Sequence, residues 1–148
     1  MRGWTLVEIV IALAVMGLLV GIAVPLFGQY KERARVSRAI TEIRVLEAAV
    51  DRYIAEFQRV PNRLDSIVNP IPTDPWGNPF QFLKLLDAPP STKGQARKDK
   101  SLVPINSDYD LYSVGPDGVT AAPLTAKASR DDIIRANDGG YVGVAEGY

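Results

Sequence analysis

The chain contains neither cysteine nor histidine. Without cysteine there is no disulfide framework and no thiol nucleophile. Without histidine the commonest general base and the commonest transition-metal ligand are both missing, so a Ser-His-Asp triad and a His-rich zinc site are excluded. An excess of one charge is lacking as well, since 17 Lys and Arg balance 17 Asp and Glu. A neutral chain gives no electrostatic reason to bind nucleic acid, and no such partner is expected. Two carboxylates can hydrolyse a glycoside, but no cleft-marking motif or set of substrate-binding aromatics accompanies the acids. No enzymatic activity is expected.

What is present is one dominant apolar run, Gly3 to Phe27. From Ile9 to Phe27 it has no charged or polar side chain. With Trp4, Leu6 and Val7 it reaches the length of about 20 residues that a helix needs to cross the hydrocarbon core. Glu8 is the exception. A carboxylate at the centre of a spanning helix costs about 2.5–3.5 kcal/mol, less toward an end, and an acid kept there usually has a partner. A secretory signal peptide fits poorly, because the run is too long, Glu8 interrupts its front and no small-x-small site follows. A plain single-pass anchor leaves Glu8 without a purpose.

Beyond Phe27, Val36, Ile40, Ile43, Leu46, Val50, Tyr53 and Phe57 follow at spacings of three and four, one face of an amphipathic helix. Arg38, Glu42, Arg44, Glu47, Asp51, Arg52 and Glu56 lie on its other faces. No Pro or Gly interrupts from Gln29 to Val60, and Pro61 supplies a stop. One helix of roughly 80 Å is therefore expected from about Trp4 to Phe57, with a kink or loosening at Pro25. The basic cluster Lys31 to Arg38 suits either anionic headgroups or a solvated helix face.

Pro61 to Asn78 is rich in turn residues, with a short helix expected over Arg63–Val68, capped by Asn62. Phe80 to Lys84 and Tyr109 to Val114 alternate as strands. Asp87 to Ser107, with Lys93, Arg97, Lys98 and Lys100, has no apolar period and reads as a mobile surface loop that can be trimmed without loss. Gly115 to Gly118 is a turn, Asp131 to Ala136 starts a helical turn, and Gly139-Gly140 opens a last strand, Tyr141 to Ala145. The expected fold is α+β: a long N-terminal helix, its first half transmembrane, packed on a small antiparallel sheet followed by a C-terminal loop region.

Gly3, the aromatic Trp4, Thr5-Leu6-Val7-Glu8 and the apolar helix with Gly17 and Pro25 resemble the type IV prepilin signature. That signature is shared by pilins and type II secretion pseudopilins. The Asp74-Pro75-Trp76-Gly77-Asn78-Pro79 block resembles the major pseudopilins of type II secretion. The resemblance implies cleavage after Gly3 by a prepilin peptidase, N-methylation of Trp4 and a role for Glu8 in filament assembly. It also implies three regions: a leader, 1–3; a transmembrane and assembly half-helix, 4–30; and a periplasmic globular region, 31–148, whose helix runs over 31–57. The implied role is that of a structural subunit held in the bacterial inner membrane by a single span. There it is drawn into a homo-oligomeric pseudopilus by an assembly platform together with minor pseudopilins. The alternative is a type IV pilin of a surface filament for motility, adhesion or DNA uptake; the Asp74 to Pro79 block and the absence of a C-terminal cysteine pair favour the pseudopilus. In major pseudopilins the loop carrying Asp117 binds structural calcium, so Asp117, Asp131 and Asp132 are its candidate ligands here.

Overall fold

The computed structural model describes residues 3–100 and 102–148, without the side chains of Pro25 and Leu26. The chain divides into two compact units, one ending at Ala34 and the other running from Arg35 to Tyr148. Helix α1, Leu6–Phe57, contributes to both. It runs on through Pro25, while the expected leader residues Met1 and Arg2 lie outside the described residues. The first unit is bare helix. Its described large apolar side chains, Leu6, Ile11, Leu18 and Val24 among them, are exposed.

In the second unit α1 becomes a core helix. Ala39, Ile43, Leu46 and Val50 are buried against Val60, Leu64, Phe80, Tyr109, Leu111 and Ile133, and Trp76 is partly buried on the same cluster. Phe57, at the end of the expected apolar stripe, is half exposed. Four strands form an antiparallel meander in chain order: β1 Gln81–Lys84, β2 Tyr109–Ser113, β3 Ile133–Ala136 and β4 Tyr141–Val144. Gln81 pairs with Tyr112, Tyr112 with Ile134, and Ile134 with Gly143. One face of the sheet meets α1. A smaller cluster of Ile105, Leu124, Ile134, Ala136 and Ala145 is built against Tyr112, Tyr141 and Tyr148. It takes up the residues of β3 that alternate with Ile133 and so covers the other face.

Four sequence expectations need correction. The short helix after Pro61 is a single 3-10 turn, Leu64–Ser66, whose N-cap is Arg63 with no side-chain cap. The segment after Asp132 is strand β3, not a helical turn. Every residue of β3 is buried, and two-sided burial removes the alternation that marks a strand. The segment from Asp87 to Ser107 is exposed over much of its length but is not all surface. It holds a short helix, α2 Pro90–Lys93, and it buries Ala96, Arg97, Ile105 and Asn106. Finally Glu47, placed by its spacing off the apolar face of α1, is buried. Its Oε1 accepts from Arg135 Nε at 2.8 Å and its Oε2 from Arg44 Nη1 at 2.8 Å. Arg135 also forks onto both oxygens of Asp108 at 2.8 Å and lies 4.0 Å from the centre of the Tyr109 ring.

The Asp74 block folds as a turn stitched to the end of β2. Asp74 Oδ1 accepts the backbone N–H groups of Trp76 and Asn78, at 3.0 and 2.9 Å, and its Oδ2 accepts the Ser113 hydroxyl at 2.6 Å. Gly77 sits at φ +98°, a region that only glycine enters freely. The turn residues thus serve to carry one buried carboxylate into the core edge, fully hydrogen-bonded as buried charge requires.

Candidate functional site

Two candidate sites follow from the sequence, one in each unit. In the first, Gly3 and Trp4 precede α1 and are exposed. Thr5 and Glu8 form a reciprocal pair at the helix start. Thr5 N and Thr5 Oγ1 both donate to Glu8 Oε2 at 2.8 Å, and Glu8 N donates back to Thr5 Oγ1 at 3.3 Å. This is a capping box, in which a Thr and a Glu three residues on satisfy backbone donors that the first helical turn leaves free. Thr5 was missed as a functional residue, although Thr-x-x-Glu before an apolar run is itself a sequence signal. The pair gives the intramembrane-type acid one local partner. Both Thr5 donors fall on the same carboxylate oxygen, Oε2, and the box holds the carboxylate within reach of the peptide N-terminal to Thr5.

In the second unit the three candidate acids take different positions. Asp117 is exposed, and its Oδ1 accepts from Val119 N at 2.9 Å. Asp131 Oδ2 accepts from Asp117 N at 3.3 Å, so these two residues lock one turn. Gly115, at φ +67°, lies so close that a Cβ there would stand 2.5 Å from the Asp131 carbonyl oxygen. Asp132 faces inward instead and is fully buried. Its Oδ2 accepts from the Thr120 hydroxyl at 2.6 Å and pairs with Arg97 Nη2. Among the described residues, no group of three or more acids is gathered that could hold a metal ion.

Arg97 is the residue that sequence reasoning missed here. It looked like one cation of a solvated basic tail. Its backbone N–H donates to the buried Asp110 carboxylate at 2.7 Å, and its guanidinium donates to Thr120 Oγ1, to the Ala121 carbonyl at 2.6 Å and to Asp132. The plane of Tyr112 lies beneath it, 4.3 Å from the guanidinium carbon. Burial pushes the Asp132 carboxyl up to about 6, against the opposing pull of Thr120 and Arg97. Burial likewise raises Asp110, despite the donors from Arg97 N and Asn106.

A helix whose exposed apolar end is long enough to cross a membrane, leading into a core helix under an antiparallel meander, is the layout of a pilin-like subunit. Sequence comparison narrows the class. The chain is 31% identical to the type II secretion system core protein G of Pseudomonas aeruginosa, over 78% of this chain and 84% of that protein. It is 30% identical to that of Aeromonas hydrophila, over 78% and 83%, and 28% identical to that of Klebsiella pneumoniae, over 89% and 91%. The chain belongs to the family of type II secretion system core protein G, the major pseudopilins. No family model matches it, and no solved structure does.

Proposed function

We propose that the chain is the filament-forming subunit of a type II secretion pseudopilus. It is stored in the inner membrane through residues 4–30, with residues 31–148 in the periplasm. A prepilin peptidase cuts after Gly3 and Trp4 becomes the methylated N-terminus. An assembly platform then draws the subunits, with minor pseudopilins, into a helical homo-oligomer whose growth drives secretion. The role is structural, and a chain without Cys or His suits it.

The observation that carries this reading is the exposure of the large apolar side chains described between Leu6 and Phe27, in a stretch whose one charged residue is Glu8. Exposed apolar surface of that extent marks a membrane or a packing partner. A single helix that meets lipid first and sister helices later satisfies both. Glu8 supplies the register. Once Trp4 is the first residue, its positively charged amine stands at the positive end of the helix. Glu8 of one subunit then pairs with the amine of a neighbour, in apolar surroundings where losing one partner of a buried pair typically costs about 3–5 kcal/mol.

The experiment separates three readouts for Glu8→Ala and Glu8→Gln: membrane fraction, N-terminal processing and sheared filaments. Both variants are expected to insert and to be cut, because the span loses a charge and Gly3 is untouched. Both are expected to lose filaments. Gln keeps the Thr5 cap and Ala does not, so a loss with Gln identifies the charge rather than the cap. Normal filaments from Glu8→Gln would overturn the register role.

A further inference from the structure

We propose that in this subunit the Arg97 guanidinium is the cation on which the C-terminal loop closes, so that the loop holds its shape without calcium. The inference rests on the donor set and stands whether or not the chain builds a filament. Calcium is held by carboxylate, carbonyl and hydroxyl-type oxygens, about six to eight of them, converging from bent chain. In residues 119–132 those kinds of oxygen do converge, but on Arg97: the Asp132 carboxylate, the Thr120 hydroxyl and the Ala121 carbonyl. The other two candidates do not join this set: Asp117 and Asp131 each spend one carboxylate oxygen, Oδ1 and Oδ2 respectively, on a backbone N–H group of the neighbouring turn. The donor set therefore does not fit the ion.

Arg97 is built into this position rather than resting on it. Its carbonyl accepts from Ile105 N at 3.0 Å, and the next residue, Lys98, exchanges backbone bonds with Ala122 and Leu124 at 3.1 and 2.9 Å. Lys98 thus lies alongside Pro123 in a single parallel bridge. Both members of the ion pair are almost wholly buried, 3% and 0% exposed. The buried atoms left without a hydrogen bond there are Arg97 Nε and Asp132 Oδ1, one on each side of the same pair. Ser129 Oγ, which accepts from Ala121 N and donates to Ala121 O, closes the loop from the other side. A guanidinium offers five donors in a fixed plane, so it can gather oxygens from two chain segments as a bound ion would. Unlike an ion it cannot be removed by a chelator.

The test is thermal melting of the full chain in detergent, with calcium and with a calcium chelator, for the wild type, Arg97→Met and Arg97→Met/Asp132→Leu. The wild type is expected to melt at the same temperature in both solutions and to give no calcium-binding heat by titration calorimetry. Arg97→Met leaves Asp132 buried without its counter-charge and is expected to melt several degrees lower, or not to fold. The double variant replaces the pair with apolar side chains and is expected to recover much of that loss. A chelator that lowers the wild-type midpoint, with calcium restoring it, would overturn the proposal. So would Arg97→Met melting like the wild type.

Discussion

The two units use the same residue types to opposite ends. The described Leu, Ile and Val side chains between Leu6 and Val24 are exposed, Leu18 at 68%, whereas Ile43, Leu111 and Ile133 in the second unit are completely buried. Helix α1 supplies both sets, and helix propensity does not distinguish them. What distinguishes them is cover: the second unit carries a meander and the segment holding Val60, Leu64 and Phe80 to lay on its helix, and the first has none within the described residues. The polar chemistry follows the same division. The first unit has one acid in its apolar stretch, held by its own helix cap. The second buries ionic groups that bind distant segments together, Glu47 with Arg135 and Asp108, and Arg97 with Asp132. The difference teaches that the buried contacts lie in the second unit, while the exposed apolar surface of the first is left for the lipid and the neighbouring subunits that the proposed function calls for.

The strongest way to break this division is to attack the buried network. Glu47→Ala leaves the Arg135 guanidinium short of one carboxylate in the core, and removing one partner of a buried pair typically costs about 3–5 kcal/mol. Chemical denaturation of the full chain should show a loss of that order. Glu8→Gln should leave the same curve unmoved. Deleting Ser91 to Lys100 belongs with the large effects too, because it removes Arg97 and strands Asp132; the loss is expected to match that of Arg97→Met.

A smaller effect is expected at Gly115. Its positive φ and the 2.5 Å approach of the Asp131 carbonyl leave no room for a methyl group. Gly115→Ala should cost on the order of 1–3 kcal/mol, the usual range for a residue held in a sparsely populated conformation, and should do so without affecting membrane insertion.

The smallest effect sharpens the electrostatic side of the comparison. Asp132 has a folded value of about 6, raised by burial above the ordinary 3.8. Between those values the folded state binds the proton more tightly than the unfolded state does. This group therefore adds stability as pH falls from about 6 toward 4, opposite to the usual paired carboxylate. Asp132→Asn should remove that contribution, which is seen by comparing the slopes of melting temperature against pH over that window.

Much of this molecule was legible in its sequence because its strongest signals are periodic or local. The 3.6-residue period of Val36 to Val50 marks the core face of α1, and the alternation in Phe80 to Lys84 and Tyr109 to Val114 marks β1 and β2. Gly77 and the Asp74 carboxylate declare their turn within one short block. What was not legible depends on partners far apart in the chain. Glu47 meets Arg135 across 88 residues and Arg97 meets Asp132 across 35; nothing local distinguishes such a buried charge from a solvated one. Strand β3 was hidden by being covered on both faces. At the N-terminal site Gly3, Trp4 and Glu8 were readable as a signature, while the cap that Thr5 makes with Glu8 was readable but unread.

The central claim is that the bare first unit exists to be processed, stored in a membrane and then packed in a filament. It is tested most directly by shearing filaments from cells that produce this chain together with a type II secretion machinery and measuring the intact mass of the subunit recovered. The account predicts a subunit that begins at N-methylated Trp4. Filaments built of chains that still begin at Met1, or the absence of this chain from the sheared fraction while it accumulates in the membrane, would contradict it.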